Sequence, residues 1–455
     1  MPADAELPPR NSEPGHEVKA WDELTDVEKE LFARYQEIFA GMVDNVDQNF
    51  GRLRSELEAM GEWDNTIVVF TSDNGGSREG QYTGTSAYFR TLVSQTRPTD
   101  LEVVEVDHAR LDELGGPTNL PHYPMGWAMV SSTPFRLYKI NTHQGGHQVP
   151  FIFSVPDGTG PGAERGGLRT QYQHVTDLMP TLCELLGVEV PTTKAGRPVP
   201  PPAGESFATS LGDPDTPSTH PEQYYEMIGH RGFYRDGWSA VTLRQPRTPF
   251  SEEQWELHHL AEDPTEAQDL AAEHPEKLAE LKEAWEEAAW ANQVFPLDEG
   301  NFVKMIQKPP SDDDYVAPVR LRPGTPTLER WRALQLIYAR DFDVTVELDH
   351  APGDEGMLVA HGDQGGGYAL YVEDGRLWFA FNGYGDMTVV AAGAVPAGTR
   401  EVSCHVAGAG DFRWNVEVRI AGEAAAAVEG LPVLMAIAPF EGIDVGIDRR
   451  SPVSW

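Results

Sequence analysis

Eight apolar residues, Leu31, Tyr35, Ile38, Met42, Val46, Phe50, Leu53 and Leu57, recur at intervals of three or four. That spacing places them on one face of a single long α-helix. Thr25 followed by Glu28 is a capping box that opens it, and Gly61 closes it. Asp64-Asn65 then turns the chain into Thr66-Ile67-Val68-Val69-Phe70-Thr71. An unbroken apolar run of this length predicts a strand buried on both faces, as in a parallel sheet. A helix feeding such a strand is half of an α/β repeat, so the expected class for this part of the chain is α/β.

The same reading extends along the chain. Residues 77–135 read as a long, mostly irregular stretch with an acidic segment near 99–115, the kind of loop that covers a functional site. Residues 149–155 form a second apolar strand, and residues 174–187 a helix stopped by Gly187. Short β-like runs at 222–260 lead to a helix over 265–293, a small α+β subdomain. Beyond a proline-rich, acidic linker, alternating runs such as Phe342-Asp343-Val344-Thr345-Val346-Glu347-Leu348 are separated by Gly-rich turns. They predict an antiparallel β-sandwich. The expected division is an α/β domain over 1–220, the subdomain over 221–299, a linker over 300–326 and the sandwich over 327–455.

Charge excludes several partners. The 455 residues carry a formal net charge of -37, which repels nucleic acid and anionic membranes. No run of about 18 apolar residues is present to span a bilayer. The N-terminal residues lack the basic and apolar segments of a secretory signal, so the chain as written reads as cytoplasmic. The two cysteines, Cys183 and Cys404, lie far apart in dissimilar contexts and do not suggest a disulfide framework. Cys183 falls in an apolar helical stretch and reads as buried filler. An anionic substrate would need a local cation or a set of Lys and Arg side chains.

Two segments offer such chemistry. Asp73-Asn74 stands at the end of the 66–71 strand, and ligands of open α/β sheets bind at carboxyl ends of strands. An Asp carboxylate beside an Asn carbonyl supplies adjacent oxygen ligands for Ca2+ or Mg2+. Asp-Asn-Gly is equally a favoured turn tripeptide. The second segment is Arg136-Leu137-Tyr138-Lys139, followed by His143-Gln144-Gly145-Gly146-His147-Gln148-Val149-Pro150. A lysine ahead of a Gly-Gly turn can present its ammonium to an anion while the glycines permit close backbone packing. Alone, it also reads as an exposed lysine before a strand. His143 and His147 are four apart, but the intervening glycines argue against one helical face.

Together these residues resemble the type I sulfatases. Residues 66–76 resemble that family's strand with its Asp-Asn metal pair. Residues 136–150 resemble its lysine, Gln/Glu-Gly-Gly turn and Val-Pro strand. Trp255-Glu256-Leu257-His258-His259-Leu260-Ala261-Glu262-Asp263-Pro264, continuing to Gln268-Asp269-Leu270, resembles its C-terminal strand and Asp-Pro turn. The resemblance covers residues 20–295, and the tail from 327 resembles the extra β domain of large bacterial arylsulfatases. It implies a partial alkaline-phosphatase-like α/β fold and hydrolysis of a small-molecule sulfate ester. It also implies Asp73 and Asn74 as ligands to a divalent cation, usually Ca2+. Lys139 would be the catalytic cation, and Lys139 and His143 the substrate-binding residues.

One element of the family pattern is missing. The family's nucleophile is a formylglycine made from Cys-x-Pro/Ala-Ser-Arg, whereas Cys183 precedes Glu184-Leu185 and Cys404 precedes His405-Val406. The resemblance therefore implies a C-terminal fragment, inactive alone, with Met1 as an internal start. A phosphodiesterase or phosphonate hydrolase of the same superfamily would share the Asp-Asn pair. A non-catalytic glycan-binding protein is the other alternative, with Tyr368, Tyr371, Trp378 and Tyr384 lining a sugar-binding face or simply packing the sandwich.

Overall fold

A computed structural model describes residues 13–88, 100–157, 159, 166–245, 248–297, 317–338, 340–435 and 439–454. Its helices are α1 (Asp26–Met60), α2 (Asp100–His108), α3 (Met125–Ser131), α4 (Gln144–His147), α5 (Leu178–Leu186), α6 (Ala208–Gly212), α7 (Pro275–Ala291) and α8 (Arg330–Ile337). Two strands, β1 (Val68–Thr71) and β2 (Phe151–Ser154), pair with each other. A short hairpin follows, β3 (Thr193–Lys194) with β4 (Arg197–Pro198). The mixed helix and strand content of an α/β sequence is present, as is an antiparallel, sheet-rich C-terminal region.

The capping box forms as the sequence requires. The Glu28 amide donates to Thr25 Oγ1 at 3.2 Å, and the Thr25 amide donates to Glu28 Oε2 at 2.8 Å. Two of the four orphan N–H groups of the helix start are thereby satisfied. The apolar stripe is buried only in its first turns, at Leu31, Phe32 and Tyr35, whereas Met42, Val46 and Leu53 are exposed.

The strand pairing differs from expectation. β1 and β2 run antiparallel, with Val68 opposite Ser154 and Thr71 opposite Phe151. An apolar run reports burial and not direction, so a lone antiparallel partner reads the same as a parallel one. Phe70 and Ile152 are 43% and 59% exposed, so this pair is not covered on both faces. Residues 100–108 and 125–131 are helical, not irregular. The acidic residues Asp100 and Glu102 sit in the first turn of α2, where they favour a helix start. Cys183 is half-exposed on α5, while Cys404 is buried in the sandwich.

The chain divides into two compact units. One combines Met1–Val18, Ala40–Arg78 and Gly126–Phe302. It holds a four-stranded antiparallel sheet ordered β5 (Glu222–Met227), β6 (His230–Arg235), β7 (Trp238–Thr242) and β8 (Trp255–His259). Helix α7 covers that sheet with Leu281, Ala284, Trp285 and Ala289 packed against Phe233, Ala240, Trp255 and Leu257. It starts at Pro275, ten residues later than the sequence suggests, because the Asp263 carboxylate holds Gln268 and Thr265 in a turn first.

The other unit combines Lys19–Phe39, Glu79–Met125 and Val303–Trp455. Its sandwich stacks a five-stranded sheet on a four-stranded one. The first is ordered β13 (Asp386–Ala394), β12 (Arg376–Gly383), β11 (Gly366–Glu373), β10 (Gly356–Asp363) and β17 (Ile443–Val445). The second is ordered β16 (Glu423–Pro432), β15 (Arg413–Ile420), β14 (Glu401–Gly410) and β9 (Phe342–Glu347). Tyr368 and Tyr384 lie in its core, and Tyr371 faces Trp378 as a cross-strand pair. Much of the expected linker, through residue 316, lies outside the described residues.

Candidate active site

The turn after β1 and the loop before β2 are held together backbone to backbone. The Gly75 amide donates to the Gly146 carbonyl at 3.0 Å, and the Lys139 amide donates to the Gly76 carbonyl at 3.0 Å. Ser132 Oγ accepts from the Gly76 amide at 3.0 Å. Glycine is required here for space. A Cβ on Gly75 would overlap the Gly145 carbonyl, and one on Gly145 would overlap the carbonyls of Arg136 and Leu137. The sequence places Asp73 and Lys139 66 positions apart, and these contacts bring their backbones to one turn.

The lysine loop is shaped by unusual backbone. Leu137 and Ile140, on either side of Lys139, sit at φ of 62° and 82°. A β-branched residue in the left-handed region is costly, of order 1–3 kcal/mol, and persists only where surrounding contacts fix it. Those contacts are present. Tyr138 is fully buried with its hydroxyl 2.9 Å from His16 Nδ1, and the Asn141 side-chain amide donates to the Tyr138 carbonyl at 3.0 Å. Thr142 Oγ1 donates to the Arg231 carbonyl at 2.9 Å.

Asp73 is exposed at the end of β1, and Asn74 is half-buried. The Asn74 side-chain nitrogen donates to the Gly75 carbonyl at 2.8 Å. That leaves the Asn74 side-chain oxygen and the Asp73 carboxylate as the hard oxygens of this pair. A Ca2+ shell takes six to eight oxygens, so water or substrate would complete it. The donor type of this pair fits such a cation.

His143 and His147 do not act as a pair. Gln144 to His147 form a single helical turn, despite the two glycines, with His143 as its N-cap. His147 stacks on Tyr225 at 4.1 Å, and its Nε2 lies 2.9 Å from the Thr142 carbonyl. Burial pulls its pKa down to about 4, so it stays neutral. His143 is fully enclosed. Its Nε2 lies 3.6 Å from Glu256 Oε2, and His258 Nε2 lies 3.4 Å from the same oxygen.

Around them is a dense charged cluster. Arg136 bridges Glu256 and Glu13, the latter at 2.6 Å. Glu266 accepts from the Gln144 amide at 2.8 Å, and burial raises its carboxyl pKa. Burial also pushes the Glu256 carboxyl up, but the neighbouring His143 and His258 rings and the Arg136 charge outweigh it and hold the group well below its ordinary range. Sequence reading missed Glu256 and His258 as a site. The available signal was strand alternation, which puts residues i and i+2 of β8 on one face.

The comparisons add the following. Residues 8–188 match the family model described as Sulfatase. An uncharacterized sulfatase of Schizosaccharomyces pombe is 34% identical over 274 residues, 60% of this chain and 46% of that protein. An arylsulfatase of Klebsiella aerogenes is 30% identical over 194 residues, 42% of this chain and 38% of that protein. The chain thus spans less than half the length of these relatives. Among solved structures, a sulfatase from Bacteroides fragilis aligns with a TM-score of 0.35 at 16% identity, covering 61% of this chain and 46% of that one. A phosphonate monoester hydrolase of Agrobacterium radiobacter aligns with a TM-score of 0.32 at 17% identity, covering 56% and 40%.

Proposed function

We propose that this chain, which carries sulfatase-family sequence over residues 8–188, supplies the cation-and-lysine half of an arylsulfatase-type sulfuric ester hydrolase. The observation that carries this reading is the glycine-to-glycine contact that sets Lys139 against the Asp73–Gly76 turn. The substrate would be a small-molecule sulfate ester. A divalent cation held by Asp73 and Asn74, Ca2+ before Mg2+, would polarise a sulfate oxygen. Lys139 would hold a second oxygen and stabilise the charge that develops as the ester bond breaks. The constrained backbone at Leu137 and Ile140 fixes the main chain from which Lys139 projects.

The sequence contains no Cys-x-Pro/Ala-Ser-Arg, so these residues bind and polarise but do not attack. Residues 1–455 alone should therefore leave p-nitrophenyl sulfate intact. Calorimetric titration of the chain with inorganic sulfate, in the presence of Ca2+, is the direct test. Lys139→Ala should weaken sulfate by about tenfold, or about 1.4 kcal/mol. Asp73→Ala should remove the Ca2+ dependence. Equal sulfate affinity in both variants and the unsubstituted chain, or a preference for phosphate over sulfate, would refute the assignment.

A further inference from the structure

We propose that His143, Glu256 and His258 form a second, enclosed cation site of the zinc class, which clamps the lysine loop to strand β8. The three residues each offer one ligand atom, and these atoms lie within 4.8 Å of one another. Tetrahedral zinc with bonds of about 2.0–2.1 Å sets its ligands roughly 3.3 Å apart. Two edges of the triangle, 3.4 and 3.6 Å, already match that spacing.

Hydrogen bonding favours a metal over an apolar or merely packed cluster. His258 Nδ1 lies 2.7 Å from the Gln268 carbonyl, which can only accept, so this nitrogen carries the proton. With Nδ1 so tied, Nε2 is the nitrogen that faces the Glu256 carboxylate. A nitrogen tied to a backbone carbonyl, with its opposite nitrogen free, is the arrangement that orients metal-ligating histidines. Neither nitrogen of His143 has a hydrogen-bond partner, nor does His258 Nε2, although both rings are fully buried. Buried polar atoms without partners are costly, and a bound cation would satisfy two of them at once, one on each ring.

Charge and access agree. Glu13 and Glu256 both pair with Arg136, and the buried Glu266 lies near them. Imidazole ligands select zinc and its transition-metal neighbours over the Ca2+ suited to Asp73 and Asn74. The fourth position falls to water. Glu256 keeps 21% of its side chain accessible and marks the way in.

The experiment uses the full chain, stripped with EDTA, dialysed and titrated with ZnCl2. One equivalent of zinc should remain per chain after desalting, counted by mass spectrometry. It should raise the Tm by roughly 5 °C at a hundredfold excess over Kd. His258→Gln should weaken zinc by about 100-fold, while Asp73→Ala should leave it unchanged. Retention of zinc by His258→Gln at wild-type affinity, or its loss in Asp73→Ala, would overturn the proposal. Should His258→Gln not fold, Co2+ added to the unsubstituted chain decides the matter. Intense visible bands of tetrahedral cobalt are expected, and their absence would also overturn it. The readout is metal content, so the result is independent of whether the chain binds sulfate.

Discussion

Gly145→Ala should lower the stability of the unit that contains it by about 3 kcal/mol, a drop in Tm of roughly 8 °C. The added methyl would overlap the carbonyls of Arg136 and Leu137, both of them backbone, so no side chain can swing aside. Relief requires moving residues 136–137 away from the Gly145-Gly146 turn. That motion breaks the bond from the Gly145 amide to the Arg136 carbonyl, 2.9 Å at present, and shifts Gly146 away from Gly75. Lys139 would then lose its fixed place beside the Asp73–Gly76 turn, so sulfate affinity should fall along with stability. Gly51→Ala is the matched control. Gly51 lies inside α1 with open space around its missing Cβ, and the change should stabilise by about 1 kcal/mol through helix propensity. Scanning calorimetry of both variants measures the contrast. A Gly145→Ala melt within a degree of wild type would mean the two turns do not pack as described.

This contrast also shows what sequence could and could not reveal. The Thr25–Glu28 capping box is a local pattern and forms where its residues predict. The sandwich is legible for the same reason, since alternation along β9 and β15 is a two-residue period. The site contacts are different. His143 meets Glu256 across more than a hundred residues, and nothing in either segment names the other. A loop histidine beside two glycines looks like a surface residue until Glu256 and His258 are found beside it. The direction of β1 was likewise illegible, because Val68 to Thr71 present the same apolar run to a partner of either sense. Half of the α1 stripe marks a face that the described residues leave exposed, so periodicity fixed the helix without fixing what covers it.

Acid should destabilise the sandwich through one residue. His361 lies in β10, opposite Tyr368 and Ile443, with its ring fully buried and neither ring nitrogen partnered. Burial alone pulls its pKa down from 6.5 to about 3. The folded state therefore keeps the ring neutral while the unfolded chain takes up a proton. The sign follows from linkage. Below pH 6.5 the unfolded state binds more protons, so stability falls as pH falls, and the loss continues to about pH 3. Between pH 6.5, where the unfolded ring is half protonated, and pH 4.5 this amounts to about 2 kcal/mol. His361→Leu has similar volume and no proton to bind, so its stability should fall less steeply over that range. At pH 7.5 the two proteins should differ by less than about 1.5 kcal/mol, since the swap nearly conserves volume and removes an unpaired polar ring. Urea unfolding at pH 7.5, 5.5 and 4.5 separates the two slopes. Parallel pH dependences in wild type and His361→Leu would show that the ring is protonated in the folded sandwich, and would place it in contact with water.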